Sequence, residues 1–127
     1  MAQAYPASRL VVLDARSERA MRHVLIIEPH QELAAAFGEV IASASYAPIV
    51  RQHVDRLADV GVVPIGIVMR IGHADISKLP LDRPPIVAIA SSNEDVEEAR
   101  RMHCEVVLRA PAEIKNLCEA LRSFAFV

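Results

Sequence analysis

A chain of 127 residues that is 53% hydrophobic and 24% charged fits one globular domain with a sizeable core. Its formal net charge is −2, whereas proteins that bind nucleic acid or an anionic membrane surface typically carry an excess of basic residues. No apolar run approaches the roughly 18–20 residues that span a membrane, and the first residues lack a signal-peptide layout. We therefore expect a cytoplasmic protein without nucleic-acid or membrane partners, in which Cys104 and Cys118 are buried, reduced thiols.

Residues 1–21 are predicted to be an N-terminal extension to the main body of the chain. Residues 9–14 contain an apolar run, and the charged stretch of residues 15–21 separates it from that main body. An apolar run exposed in a tail invites pairing with another chain. We expect an extra edge strand or a mobile arm here, with self-association through this segment as a side hypothesis.

Residues 24–27, Val-Leu-Ile-Ile, form a short apolar run that ends at Glu28, Pro29 and His30. A wholly apolar run closed by turn residues is typical of a strand buried on both faces, as in parallel sheets. Helical periodicity begins at residue 31 and continues to residue 44, so this tip lies where a strand passes into a helix. In open α/β sheets, ligands bind in the crevice at the carboxyl ends of the strands. The tip is therefore the first candidate for a functional site.

The same alternation of apolar strands and amphipathic helices continues along the chain. Strands are predicted at residues 24–27, 46–50, 65–69, 85–90 and 104–108. Helices are predicted at residues 31–44 and 53–60, from residue 92, and over 114–124, with one further turn around residues 75–78. Ser92 and Asp95 form the Ser-x-x-Asp pattern of a helix start. The predicted fold class is α/β, a single domain over residues 22–127 with one five-stranded parallel sheet and helices on both faces.

Two stretches carry a resemblance to a known family. The first is residues 23–30, His-Val-Leu-Ile-Ile-Glu-Pro-His, followed by Leu33, and the second is residues 106–111, Val-Val-Leu-Arg-Ala-Pro. In order and spacing, residues 22–127 resemble the receiver domain of two-component response regulators, which has a flavodoxin-like fold. The resemblance covers about five-sixths of the chain. It implies the strand order 2-1-3-4-5.

The resemblance also implies a set of chemical groups at the carboxyl edge of the sheet. A pair of carboxylates in the first turn holds Mg²⁺, a cation that takes oxygen ligands. An aspartate at the end of the third strand accepts the phosphoryl group. A hydroxyl after the fourth strand and a lysine after the fifth stabilise the transferred oxygens. An aromatic residue in the fifth strand acts as a switch.

Nearly all of these groups are replaced in this sequence. The acid pair is reduced to Glu28, with Pro29 at the second position, and Arg70 falls at the position of the phosphoacceptor. The hydroxyl, lysine and aromatic positions fall on Ala90, Ala110 and Val107. An arginine cannot accept a phosphoryl group as an aspartate does, and its charge repels Mg²⁺. We interpret the chain as a degenerate, or pseudo-, receiver that is not phosphorylated on aspartate and has no metal or cofactor.

A shift of the alignment by one residue places Ser91 at the hydroxyl position, but it restores neither the acceptor nor the lysine. Glu28 and Arg70 are expected close together at the carboxyl edge. Our hypothesis is that they pair, so that the guanidinium supplies the cation otherwise supplied by the metal and the lysine, and that the pair locks one conformation. The alternative is that Arg70 points to solvent.

The predicted function is signal transduction by a phosphorylation-independent protein-interaction module without enzymatic activity, with a protein partner or a second copy of the chain. One alternative is a phosphorelay receiver that uses His30 or Asp75 as an unconventional acceptor. Another is a sensor that binds a small ligand non-covalently in the same crevice. His30 and His73 can both reach that crevice, but the five histidines lack metal-ligand spacing such as HExxH, so we predict no metal site.

Overall fold

The computed structural model describes residues 22–72 and 82–125, which form a five-stranded sheet. The strands are β1 (His23–Ile27), β2 (Ala47–Arg51), β3 (Gly66–Arg70), β4 (Ile86–Ala90) and β5 (Val106–Arg109). They lie in the order β2-β1-β3-β4-β5, and each neighbouring pair is parallel. The predicted α/β fold class and strand order are confirmed.

Helices join these strands. In the described part of the chain they are α1 (Gln31–Ser43), α2 (Asn93–Arg101) and α3 (Leu117–Ala125), with 3₁₀ turns at Leu57–Val60 and Ile114–Asn116. The start of α2 is as predicted, since the Ser92 hydroxyl accepts a hydrogen bond from the Asp95 amide at 3.1 Å. Gly61 ends the first 3₁₀ turn with a φ of 89°, a conformation that glycine adopts at little cost.

Three local predictions were wrong in extent. The helix expected over residues 53–60 is only the 3₁₀ turn at Leu57–Val60, in which Leu57 and Val60, three residues apart, reach the core while the residues between them are exposed. The last helix is split into a 3₁₀ turn and α3. β5 begins at Val106 instead of residue 104, and the Glu105 carboxylate accepts the Ile86 amide at 2.8 Å where a strand carbonyl would otherwise serve.

The turn predicted around residues 75–78 and the N-terminal extension lie outside the described residues. The division of the chain into an extension and a domain over residues 22–127 therefore stays a prediction. No helix within residues 22–72 and 82–125 is long and apolar enough to cross a membrane.

Alternate side chains of each strand point to opposite faces of the sheet, and helices or turns cover each face, so both faces are buried. One face packs against α1 and α3, and its fully buried residues include Val24, Ile26, Ile41, Leu117 and Leu121. The other packs against the Leu57–Val60 turn and α2, and includes Leu25, Ile67, Met69, Ile86 and Ala99. Helices on both sides thus leave only the ends and edges of the sheet for function.

The two cysteines are free thiols, but both are half-buried instead of fully buried. Burial raises the pKa of Cys104 to about 11, so its thiol is protonated and weakly nucleophilic at neutral pH. The Cys118 thiol lies 3.6 Å from the Val40 carbonyl oxygen and contacts α1 from α3. Both cysteines are therefore partly buried between secondary-structure elements, which indicates a structural role for their side chains.

Candidate functional site

The carboxyl ends of β1 and β3 place Glu28 beside Arg70. These strands are neighbours, and Ile27 lies opposite Met69, so the next residues along the two strands are adjacent. The Glu28 amide continues the ladder by donating to the Arg51 carbonyl of β2 at 2.9 Å. Glu28 is only 1% exposed, although a carboxylate is costly to withdraw from water unless it is paired.

Arg70 supplies that pairing as a two-pronged contact. Its Nε donates to Glu28 Oε1 at 2.5 Å, and its Nη2 donates to Oε2 at 2.7 Å. The side chains of Arg70 and Glu28 are 18% and 0% exposed, respectively. The hydrogen bonds to Glu28 raise the pKa of Arg70 above its ordinary value, against the opposing effect of burial. The hypothesis that the two residues pair is confirmed, and the alternative of a solvent-facing Arg70 is wrong.

The same carboxylate also fixes the turn into α1. The His30 amide donates to Glu28 Oε2 at 2.8 Å, so Oε2 accepts from both His30 and Arg70. The His30 Nδ1 in turn accepts the Leu33 amide at 3.5 Å and caps the first turn of α1. Sequence reasoning missed this capping role, since histidine is not among the side chains that commonly cap helices.

The fourth and fifth strand ends present methyl groups where the resemblance implies a hydroxyl and an ammonium. Ala90 is fully buried at the end of β4, and its carbonyl accepts the Ala110 amide at 2.8 Å. The Ser91 amide donates to Asp95 Oδ2 at 3.0 Å, within the cap of α2. Val107 is half-buried in β5, at the position expected for an aromatic switch. None of these side chains carries a group for phosphoryl transfer, apart from the Ser91 hydroxyl.

The donor set at this edge does not fit Mg²⁺. Both oxygens of Glu28 accept hydrogen bonds from a cation, and Pro29 offers no side-chain oxygen. Mg²⁺ requires oxygen ligands in a near-octahedral arrangement, and a guanidinium in contact with the carboxylate repels it. Within residues 22–72 and 82–125, no three His, Cys, Asp or Glu side chains are placed to hold a metal ion. His73 and Asp75 lie outside these residues.

Comparisons with known proteins support the fold. No family model and no curated protein matches the sequence. The chain is similar to the crystal structure of a response regulator receiver protein from Burkholderia phymatum, with a TM-score of 0.58 and 15% identity over 79% of this chain and 94% of that chain. It is also similar to a putative pilus assembly-related protein from Burkholderia pseudomallei, with a TM-score of 0.61 and 18% identity over 85% of this chain and 92% of that chain. These likenesses confirm the predicted receiver-like fold.

Replacing Arg70 with methionine is expected to destabilise the protein by about 3 kcal/mol, because it removes the two-pronged contact of the guanidinium with the buried Glu28 carboxylate. Arg70→Lys is expected to recover part of this loss, since lysine restores the charge but not the two-pronged geometry. Urea denaturation of the wild type, Arg70→Met, Glu28→Gln and the double variant gives the coupling free energy of the pair.

Arg56→Met is the matched control, because Arg56 pairs with Asp59 at 3.2 Å on the surface, with side-chain exposures of 76% and 59%. We expect no resolvable loss of stability from this variant. Equal urea midpoints for Arg70→Met and Arg56→Met would show that the Glu28–Arg70 pair does not contribute to the stability of the fold.

Proposed function

We propose that this chain is an atypical receiver-like protein that acts in signal transduction as a phosphorylation-independent protein-interaction module. The observation that carries the proposal is the two-pronged contact between Arg70 and the buried Glu28. It occupies the edge of the sheet at which the resemblance to receivers implies phosphoryl chemistry. An arginine at the acceptor position offers no oxygen to a phosphoryl group, and it holds the remaining carboxylate.

The physical reason is that Glu28, the carboxylate that remains at this edge, is paired with a cation without any modification. In a domain with an acidic pocket, metal and phosphoryl binding change the local charge and so bias one conformation over another. Here a permanent cation is bonded to the carboxylate, and that carboxylate accepts a hydrogen bond from the amide of His30, the N-cap residue of α1. The conformation of the surface around this edge therefore stays constant, which suits binding to a partner that does not depend on phosphorylation at this edge.

The two alternative functions, a phosphorelay with an unconventional acceptor and a small-ligand sensor, both require groups at this edge that are free to react or bind. His30 caps α1 through Nδ1, which leaves Nε2 as the only ring nitrogen for a phosphorelay reaction. Asp75 lies outside the described residues, so its use as an acceptor stays an alternative. A small ligand that bound through the Glu28 carboxylate would have to displace its contacts with Arg70. We therefore propose a non-enzymatic, protein-binding role.

Incubating the protein with a small phosphodonor and Mg²⁺, then measuring its intact mass at neutral pH, tests this proposal. We expect no mass increase, because the acceptor position carries a guanidinium. A receiver with an intact acceptor aspartate, treated in parallel, shows that the donor is active. A gain of one phosphoryl group would contradict the proposal, and comparison with the variants His30→Ala and Asp75→Asn would identify the acceptor.

The partner is proposed to be a protein, either a second copy of this chain or a component of a larger assembly. The neighbour described as a putative pilus assembly-related protein suggests one setting in which such a component is found. Sedimentation analysis across a range of concentrations separates the two: a two-chain mass identifies self-association, and a one-chain mass directs the search to another protein. In either case the mass should not change with phosphodonor and Mg²⁺. A phosphodonor-dependent change in association would contradict a phosphorylation-independent module.

A further inference from the structure

The β2 edge of the sheet is poorly suited to pairing with a further strand. Ala47 and Arg51 hydrogen-bond towards β1, so the alternate residues Pro48 and Val50 face outwards. Pro48 has no amide hydrogen, and the Val50 carbonyl accepts Nη1 of Arg51 at 2.9 Å. Proline and charged side chains on an edge strand are known means of blocking strand addition.

The β5 edge is limited in a similar way. The Ala110 amide bonds towards β4, so alternation places the backbone groups of Arg109 and Val107 on the outer side. The Arg109 amide donates to Glu113 Oε1 at 2.7 Å, and its carbonyl accepts the Glu113 amide at 2.8 Å. Within β5 this leaves only the amide and carbonyl of Val107 on the outer side. Neither edge therefore offers the complete row of backbone groups with which a further strand would pair.

An apolar groove of about 450 Å³ lies at the amino end of the sheet, opposite to the Glu28–Arg70 edge. It is lined by Leu57, Ala58, Gly61, Val62, Val63, Pro64, Asp82 and Pro84. Val63 is 88% exposed and Val62 is 39% exposed, although both are fully aliphatic. Val62 and Val63 thus add exposed apolar surface to a concave, mainly apolar lining, which an apolar segment could cover.

The N-terminal extension joins the fold beside this groove. The amide of Ile65, which directly follows the groove residue Pro64, donates to the His23 carbonyl at 2.8 Å, so the groove lies next to the start of β1. Eight residues, 14–21, separate the apolar run from Arg22. Fully extended they reach about 26 Å, whereas neighbouring strands are only about 4.8 Å apart. The linker is therefore long enough to return the run to the groove of its own chain.

We propose that the apolar run Leu10, Val11, Val12 and Leu13 docks into this groove of the same chain. Alternate side chains of an extended segment face one surface, so two of the four enter the groove together. The charges agree, since Arg9 precedes the run and the exposed Asp82 lies at the groove. The docked segment covers Val63 and leaves both edges of the sheet unaltered. This inference concerns the amino end of the sheet and does not depend on the proposed function.

Cross-linking tests the docked position in the full-length protein. In a Cys104→Ala and Cys118→Ala background, Val12→Cys is combined with Val63→Cys, and the product is treated with a short bis-maleimide at low protein concentration. The matched control combines Val12→Cys with Val50→Cys, because Val50 is 41% exposed on the outer edge of β2. We expect a one-chain cross-link to form on the order of 10-fold faster with Val63→Cys than with Val50→Cys, since docking raises the effective concentration.

Three results would overturn the proposal. Equal rates for the two pairs would show that the run does not rest at the groove. Faster reaction with Val50→Cys would place it at the β2 edge. A product with the mass of two chains, formed in preference to the one-chain product, would show that a second copy occupies the groove.

Proteolysis gives a second test that does not rely on the cysteine background. Chymotrypsin cleavage after Leu13, inside the run, is expected to be slow in the native protein and to accelerate about 10-fold in Val63→Asp, which places a carboxylate in the docked contact. Val50→Asp should leave the rate unchanged, and circular dichroism confirms that both variants are folded. The same rate in Val63→Asp and the wild type would contradict docking at the groove.

Discussion

The burial of the Glu28 carboxylate is the constraint around which the carboxyl edge of this sheet is arranged. A carboxylate that is 1% exposed needs a cation and hydrogen-bond donors, or it would be driven to a neutral form or to another position. Arg70 supplies the cation and two donors, and the His30 amide supplies a third. One side chain thereby connects the end of β1, the end of β3 and the N-cap residue of α1.

A buried ion pair is not a general source of stability, because the desolvation of two charges offsets much of their attraction. Its more direct consequence is geometric: the Arg70 guanidinium donates two parallel hydrogen bonds to the carboxylate, and these and the His30 amide fix it in one orientation. The edge is thus specified more tightly than by apolar packing alone. This rigidity is the physical basis for proposing a surface that is constant and does not respond to phosphoryl chemistry.

Much of the fold was predictable because strands such as residues 24–27 and 86–90 are wholly apolar, and such runs end where turn residues begin. The Glu28–Arg70 contact was predictable too, since parallel strands bring their carboxyl ends to one edge of a sheet. Other features depend on side-chain geometry that periodicity does not contain. The Glu105 carboxylate replaces a strand carbonyl at Ile86, and His30 caps a helix through a ring nitrogen. In the same way, the region before β3 has too few inward-facing residues for an α-helix and forms a 3₁₀ turn.

The most direct test of a locked edge is the NMR signal of the Arg70 Nε–H in ¹⁵N-labelled protein, followed while Mg²⁺ and beryllium fluoride are added. Beryllium fluoride with Mg²⁺ mimics an acyl phosphate on a carboxylate. If the guanidinium holds Glu28 permanently, we expect one slowly exchanging Nε–H signal whose position is unchanged throughout the titration. Saturable shifts of the Arg70 Nε–H and the His30 amide signals would show that the edge binds the phosphoryl mimic, and would contradict the locked edge.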